Sequence, residues 1–280
     1  MAFRKEISDA LTSFYGLIIS MACLDDFIIM NPPDEGRSID NPIGKDDIVI
    51  DMLRHIPYLR RIHPSSTSLL PIYPGVIPIN YPDDGWEAER THFYPLPSHC
   101  AYLAHRDDSQ GTDLILDATS GAVTEWSWNG RITLPYEEYE MLPETERWRA
   151  HPTAPLKELL DSWTRMYKEL KLLVSPNPIK RPCVVNFHFY EAFKKASNIT
   201  IDDEVTGELR REENDTFRRQ REMAENVYEV YILYGWPDNF KKDDKKQLKA
   251  DLLKLEEEHW AETKRIMDQH NPDAALFDFE

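Results

Sequence analysis

"YLAHRDDSQGTDLILDATSGAVTEWSWNG", residues 102–130, is the stretch whose reading decides the fold. With the three residues before it, "HCAYLAHR" predicts a strand, "DDSQG" a turn and "TDLILD" a second strand. "ATSG" predicts the next turn, with Gly121 suited to the positive φ of a bulged hairpin. "AVTEWSW" alternates Val123, Glu125 and Ser127 against Thr124, Trp126 and Trp128, so neither face is purely apolar. Asn129-Gly130 is a type I′ signal and predicts a third hairpin, into "RITL". Three successive hairpins make an antiparallel meander, and a sheet of this kind buries one face under a helix. The same residues pose the functional question. Acidic clusters, a histidine and two tryptophans mark either an active site or a binding face with acidic turns.

The covering helix follows in "HPTAPLKELLDSWTRMYKELKLL" (151–173), with Thr153 as N-cap and Pro155 in the first turn. Leu156, Leu159, Leu160, Trp163, Met166, Tyr167, Leu170 and Leu173 form its apolar stripe. Upstream, Ile7, Leu11, Phe14, Ile18 and Met21 recur at helical spacing and predict a packed amphipathic helix over residues 6–24. A second short helix begins at Asp46 or Asp47 and ends or kinks at Pro57. Seven prolines between residues 64 and 97 exclude an interior helix and favour extended loops and short edge strands. Helices are also predicted over residues 207–234, terminated by Gly235 and Pro237, and over 243–268. The expected architecture is α+β. A central antiparallel meander packs against helices within a single domain, residues 1–280. Core sheet and covering helix span about 78–173, the N-terminal helical segment 1–63 and the C-terminal one 183–280.

Composition narrows the function. Fifty acidic against 33 basic residues give a net charge of −17, which repels phosphate backbones and anionic membranes and steers basic partners. The three cysteines, Cys23, Cys100 and Cys183, are far apart and form no CxxC pair, so a zinc ribbon is excluded and a reducing cytoplasm fits. "FYGLIISMACL" (14–24) is too short to span a bilayer and lacks the flanks of a signal peptide. Ten glycines in 280 residues, with no GxSxG, P-loop or GxGxxG, exclude a phosphate-cradling loop and a nucleophile elbow.

His92, His99 and His105 are spaced by seven and six residues. On one strand His99 and His105 share a face but lie about 20 Å apart at a rise of about 3.3 Å per residue. They are therefore expected to hold no metal, and no cofactor is expected. Cys100 beside His99 on a strand points to the opposite face, which excludes a dyad. Asp117, opening "DATSG", is expected to cap its turn, as Asp does where a strand enters one.

"LILD" (114–117), Gly121, Val123 and Trp126, followed by the Leu-rich "APLKELLDSW" (154–163), resemble the SUKH superfamily, which includes fungal cell-wall-assembly regulators and bacterial toxin-immunity proteins. The resemblance covers about residues 78–172, and it implies an α+β binding scaffold rather than an enzyme. Two readings follow. The favoured one is a non-catalytic, cytosolic interaction or regulatory module. Its acidic, aromatic face comprises Trp86, Phe93, Tyr94, Asp107, Asp108 and Trp126, and takes a basic protein surface or a small apolar ligand, with no nucleic acid and no membrane span. The other is a small-molecule enzyme of fungal specialised metabolism, of cyclase or hydrolase type, using His99, His105, Asp107 and Asp113.

Overall fold

Short aliphatic and β-branched runs between turn formers give this chain its strands. In a computed structural model, the structure describes residues 2–21, 27–41, 43–61, 70–86, 95–107, 111–175, 183–186, 219, 222–240 and 242–270. These fall into two compact units, Met1–Tyr167 and Lys168–Glu280.

The first unit runs α1 (Ala2–Ser20), β1 (Phe27–Met30), α2 (Asp47–His55), β2 (Tyr58–Arg61), β3 (Val76–Pro78), the single turn α3 (Tyr81–Asp84), β4 (Cys100–Arg106), β5 (Asp113–Asp117), β6 (Ala122–Trp126), α4 (Tyr136–Met141), a 3-10 helix (Glu144–Ala150), β7 (Thr153–Pro155) and α5 (Leu156–Lys168). The fold is α+β. Strands β3-β4-β5-β6-β7 form one antiparallel sheet in sequence order, and β1 pairs with β2 in a separate ribbon. The middle strands β4 and β5 are almost wholly buried, which explains why "CAYLA" and "LIL" read as continuous apolar runs rather than alternating ones. Gly121 closes the β5–β6 turn with φ +72, and a Cβ there would stand 2.9 Å from the Phe3 ring of α1. The turn therefore needs glycine both for its backbone and for the helix laid against it.

Both long helices of this unit bury the faces their spacing predicts. Ile7, Leu11, Phe14, Ile18 and Met21 of α1 and its end are buried, as are Leu156, Leu159, Leu160, Trp163 and Tyr167 of α5. The two helices meet through Phe14, whose ring lies 5.9 Å from that of Trp163 and 6.2 Å from that of Tyr167. Trp163 also stacks on Tyr73 at 4.4 Å, and the Tyr167 hydroxyl donates to the Ile72 carbonyl. The loop before β3 is thus clamped under α5.

Several local expectations are corrected. "RITL" forms no strand. Gly130 is absent from the positive-φ residues, so the type I′ turn does not form, and Gly130 N–H closes a turn on Ser127 instead. The chain makes an excursion over residues 127–152 and returns as β7, the fifth strand. Thr153 is consequently a strand residue, not an N-cap. Its hydroxyl lies 2.8 Å from that of its cross-strand partner Thr124, and α5 begins three residues later. Pro155 sits on the sheet edge, where a missing N–H costs no ladder bond. The α5 stripe ends at Tyr167, because Leu170 turns into the left-handed region at φ 54 and Leu173 belongs to a strand. Pro82 enters the first turn of α3 despite the proline-rich context. Pro57 ends α2 as expected, with Ile56 pushed to extended backbone, but Tyr58 then starts β2.

In the second unit β8 (Leu172–Ser175) pairs antiparallel with β9 (Cys183–Asn186). A helix over 222–233 (α6), a 3-10 turn (Lys242–Asp244) and α7 (Lys245–His270) follow. Its core contains Leu172, Val174, Val227, Tyr231, Leu248 and Leu252, and the buried Tyr231 hydroxyl donates to the Val174 carbonyl at 2.8 Å. Gly235, at φ +79, stands past the end of α6. Among the described residues no helix is long and apolar enough to cross a membrane.

Candidate functional site

The polar residues of the opening stretch separate to the two ends of the central strands. At one end, β4 finishes in His105 and Arg106, and β5 starts with Asp113. The Asp113 carboxylate is fully buried. One oxygen accepts the Arg106 backbone N–H at 2.7 Å, and the other lies 2.8 Å from the Arg106 guanidinium. That guanidinium packs over Trp126, 4.4 Å from the ring centroid, and over Trp128 at 5.5 Å. Trp126 is buried, whereas Trp128 is 58% exposed. The carboxylate is closed off from solvent by its own arginine and is held as a structural ion pair. His105 Nδ1–H donates to the Arg106 carbonyl oxygen at 3.0 Å, and Asp107 N–H donates to Gly75.

At the other end, His99 is not on the strand. It sits in the turn "PLPSH", and β4 begins one residue later at Cys100. Cys100 is the cross-strand partner of Asp117, the last residue of β5. The Ala118 N–H donates to the His99 carbonyl at 3.0 Å, tying the turn to the end of β5. The result reverses the expectation that His99 and Cys100 face apart. One ligand atom each from His99, Cys100 and Asp117 lie within 4.8 Å of one another. Cys100 is buried, and His99 and Asp117 are half-buried. Asp117 also caps its turn, accepting the Thr119 N–H at 2.8 Å and the Thr119 hydroxyl at 2.6 Å. Burial would raise its carboxyl pKa, but hydrogen bonds from Thr119 and Ser120 outweigh that and hold it below the usual value. Lys45, itself buried, donates to the Cys100 carbonyl at 2.8 Å and fixes the start of β4.

His99 and His105 therefore lie at opposite ends of β4, and the constellation His99, His105, Asp107 and Asp113 does not converge. Nor do the described aromatic residues of the expected binding face. Trp86 is 6% exposed, its indole N–H donates to the Asp40 carbonyl, and it meets Tyr81 edge to face, so it is a core residue. Trp126 is buried under Arg106. Phe93, Tyr94, Asp108 and His92 lie outside the described residues.

No protein-family model, curated protein or solved structure matches the chain.

Among the described residues, the most exposed large apolar side chains of the first unit lie on the excursion between β6 and β7. Trp128, Tyr136 and Met141 are 58%, 60% and 85% exposed. Glu137, Glu138, Glu140 and Glu144, all exposed, stand among them. The excursion is anchored from beneath by Trp148 and His151, both buried, and by Thr133, whose N–H and hydroxyl both donate to the Ala150 carbonyl. Sequence reasoning missed this surface because it assigned "RITL" to the sheet. The two tryptophans, Trp126 and Trp128, two residues apart in the sequence, both lie against one arginine in the structure.

Proposed function

We propose that the protein is a non-catalytic interaction module that presents the excursion 127–152 to a basic protein partner. The observation that carries this reading is the co-occurrence on one excursion of three strongly exposed apolar side chains and four exposed glutamates. Large exposed apolar groups rimmed by charge mark protein-binding surfaces more often than chance exposure does. Trp128 is a suitable anchor. Its ring rests on a guanidinium held by a buried carboxylate, so little side-chain freedom is lost when a partner covers it. The acidic rim and the net charge of −17 favour a basic counterpart. The SUKH resemblance, which implies a binding scaffold, supports the same reading, and three cysteines far apart in the sequence with no CxxC pair suit a cytoplasmic location.

Capture from native lysate on the immobilised chain tests it. Wild type is compared with Trp128→Ala and with the triple variant Glu137→Lys, Glu138→Lys, Glu140→Lys. A basic protein retained by wild type should be lost by both variants. Its measured affinity should fall at least about tenfold for Trp128→Ala, as for a central hot spot. Wild-type binding should also weaken on going from low salt to about 0.3 M. Retention of the same protein by both variants would place the binding surface elsewhere.

A further inference from the structure

We propose that His99, Cys100 and Asp117 form a zinc-binding site at the end of the sheet, with water as the fourth ligand. Among the described residues this is the one place where three donors of metal-ligand type converge, with an imidazole nitrogen, a sulfur and a carboxylate oxygen within 4.8 Å of one another. Two of the three are set by strand register, since Cys100 and Asp117 are direct cross-strand partners and so project to the same side of the sheet. The third is set by the turn, whose His99 carbonyl is bonded to Ala118, next to Asp117. Bond lengths of about 2.0–2.3 Å to zinc require donors roughly 3.3–3.8 Å apart, so closing by about 1 Å through side-chain rotation completes the site without moving a strand.

The donor set selects the metal. A mixed nitrogen, sulfur and oxygen set suits a borderline cation, and hard oxygen-seeking cations such as magnesium and calcium have no use for a thiolate. Binding removes the Cys100 thiol proton to solvent and leaves thiolate, carboxylate and neutral imidazole around Zn²⁺, a set with no net charge, which matters beside a buried sulfur. Thr119 holds the Asp117 carboxylate through its N–H and hydroxyl, at 2.8 and 2.6 Å, as an outer-shell partner does. The sulfur is buried while His99 and Asp117 are half-buried, so the fourth position opens towards solvent on their side. A substrate carbon could not reach a fully buried sulfur for nucleophilic attack, whereas a small cation enters between the other two donors. The expectation that His99 and Cys100 face apart rested on placing His99 on the strand, and the turn removes that premise.

Cobalt(II) titration of the purified, metal-stripped full-length chain tests the site. Wild type should show a thiolate-to-cobalt charge-transfer band in the near ultraviolet, saturating at one equivalent and displaced by one equivalent of zinc. The band should persist in Cys23→Ser with Cys183→Ser and vanish in Cys100→Ser. His99→Ala replaces a half-exposed turn residue and leaves the sheet core intact. It should weaken zinc binding at least about tenfold. Absence of the band in wild type, its survival in Cys100→Ser, or wild-type zinc affinity in His99→Ala would each overturn the assignment.

Discussion

At the scale of single residues, two buried polar side chains make opposite demands. Asp113 is fully buried against the Arg106 guanidinium, so removing one partner leaves the other buried without its counterpart. Asp113→Ala should lower unfolding free energy by about 3–5 kcal/mol in denaturant melts. The double variant Asp113→Leu with Arg106→Met should lie closer to wild type than either single change. If both singles cost less than about 1 kcal/mol, the pair is solvated rather than enclosed by the sheet end. His151 is the converse case. It is 3% exposed, neither ring nitrogen has a hydrogen-bond partner among the described residues, and burial lowers its pKa below the ordinary 6.5. The unfolded chain then binds a proton that the folded chain resists, so the stability contribution is complete above about pH 6.5 and declines as pH falls through and below it. The decline is at most about 1.4 kcal/mol per pH unit. His151→Leu should flatten the wild-type stability profile between about pH 6.5 and 5; parallel profiles for the two proteins would show that His151 is not the group responsible. The Asp117 cap was legible in the sequence from the Asp-x-x-x-Gly turn alone. The His99, Cys100 and Asp117 cluster was not, because it depends on a strand starting one residue after a histidine, and periodicity does not locate an element end to one residue.

At the scale of elements, what could be read was whatever a repeating pattern encodes. The stripes of α1 and α5 and the strands "CAYLAHR", "DLILD" and "AVTEW" follow from 3.6-residue periodicity or from short apolar runs between turns. The fifth strand was hidden, since "TAP" is three residues long, contains proline and is joined to the sheet only by pairing with Ala122, Val123 and Thr124. The Asn-Gly hairpin failed for a related reason. A turn signal forms a hairpin only if the next segment has a partner to pair with, and that edge of β6 is taken by β7. The α5 stripe carries a direct energetic consequence. Trp163 stacks on Tyr73 and packs against Phe14, so its truncation empties the junction of α1, α5 and the 70–76 loop. Trp163→Ala should cost about 3–5 kcal/mol by thermal or chemical denaturation, and Met166→Ala, at a half-buried position on the same helix, markedly less. Equal effects at the two positions would mean that α5 does not face the core in this orientation.

At the scale of the whole molecule, the core of the first unit is built from its own residues. The entire five-stranded sheet, the aromatic cluster Phe14, Tyr73, Trp163 and Tyr167, and the Tyr167-to-Ile72 hydrogen bond all lie before residue 168. A chain of this length buries roughly 70% of its unfolded surface, within the range where a single core sustains itself. The proposed zinc site and the proposed binding excursion also lie within it. A fragment of residues 1–170 should therefore fold alone, with a single cooperative unfolding transition. It should keep both the cobalt band and capture of the basic partner, because neither site draws on a residue beyond 167. The cut after residue 170 leaves the end of α5 at Lys168 intact, so α1 retains the helix it packs against. Dispersed amide resonances with wild-type partner affinity are the expected result. A fragment that is soluble but shows no cooperative transition would mean that the stability of the sheet comes from the C-terminal residues, and that the core traced through Phe14 and Trp163 does not suffice by itself.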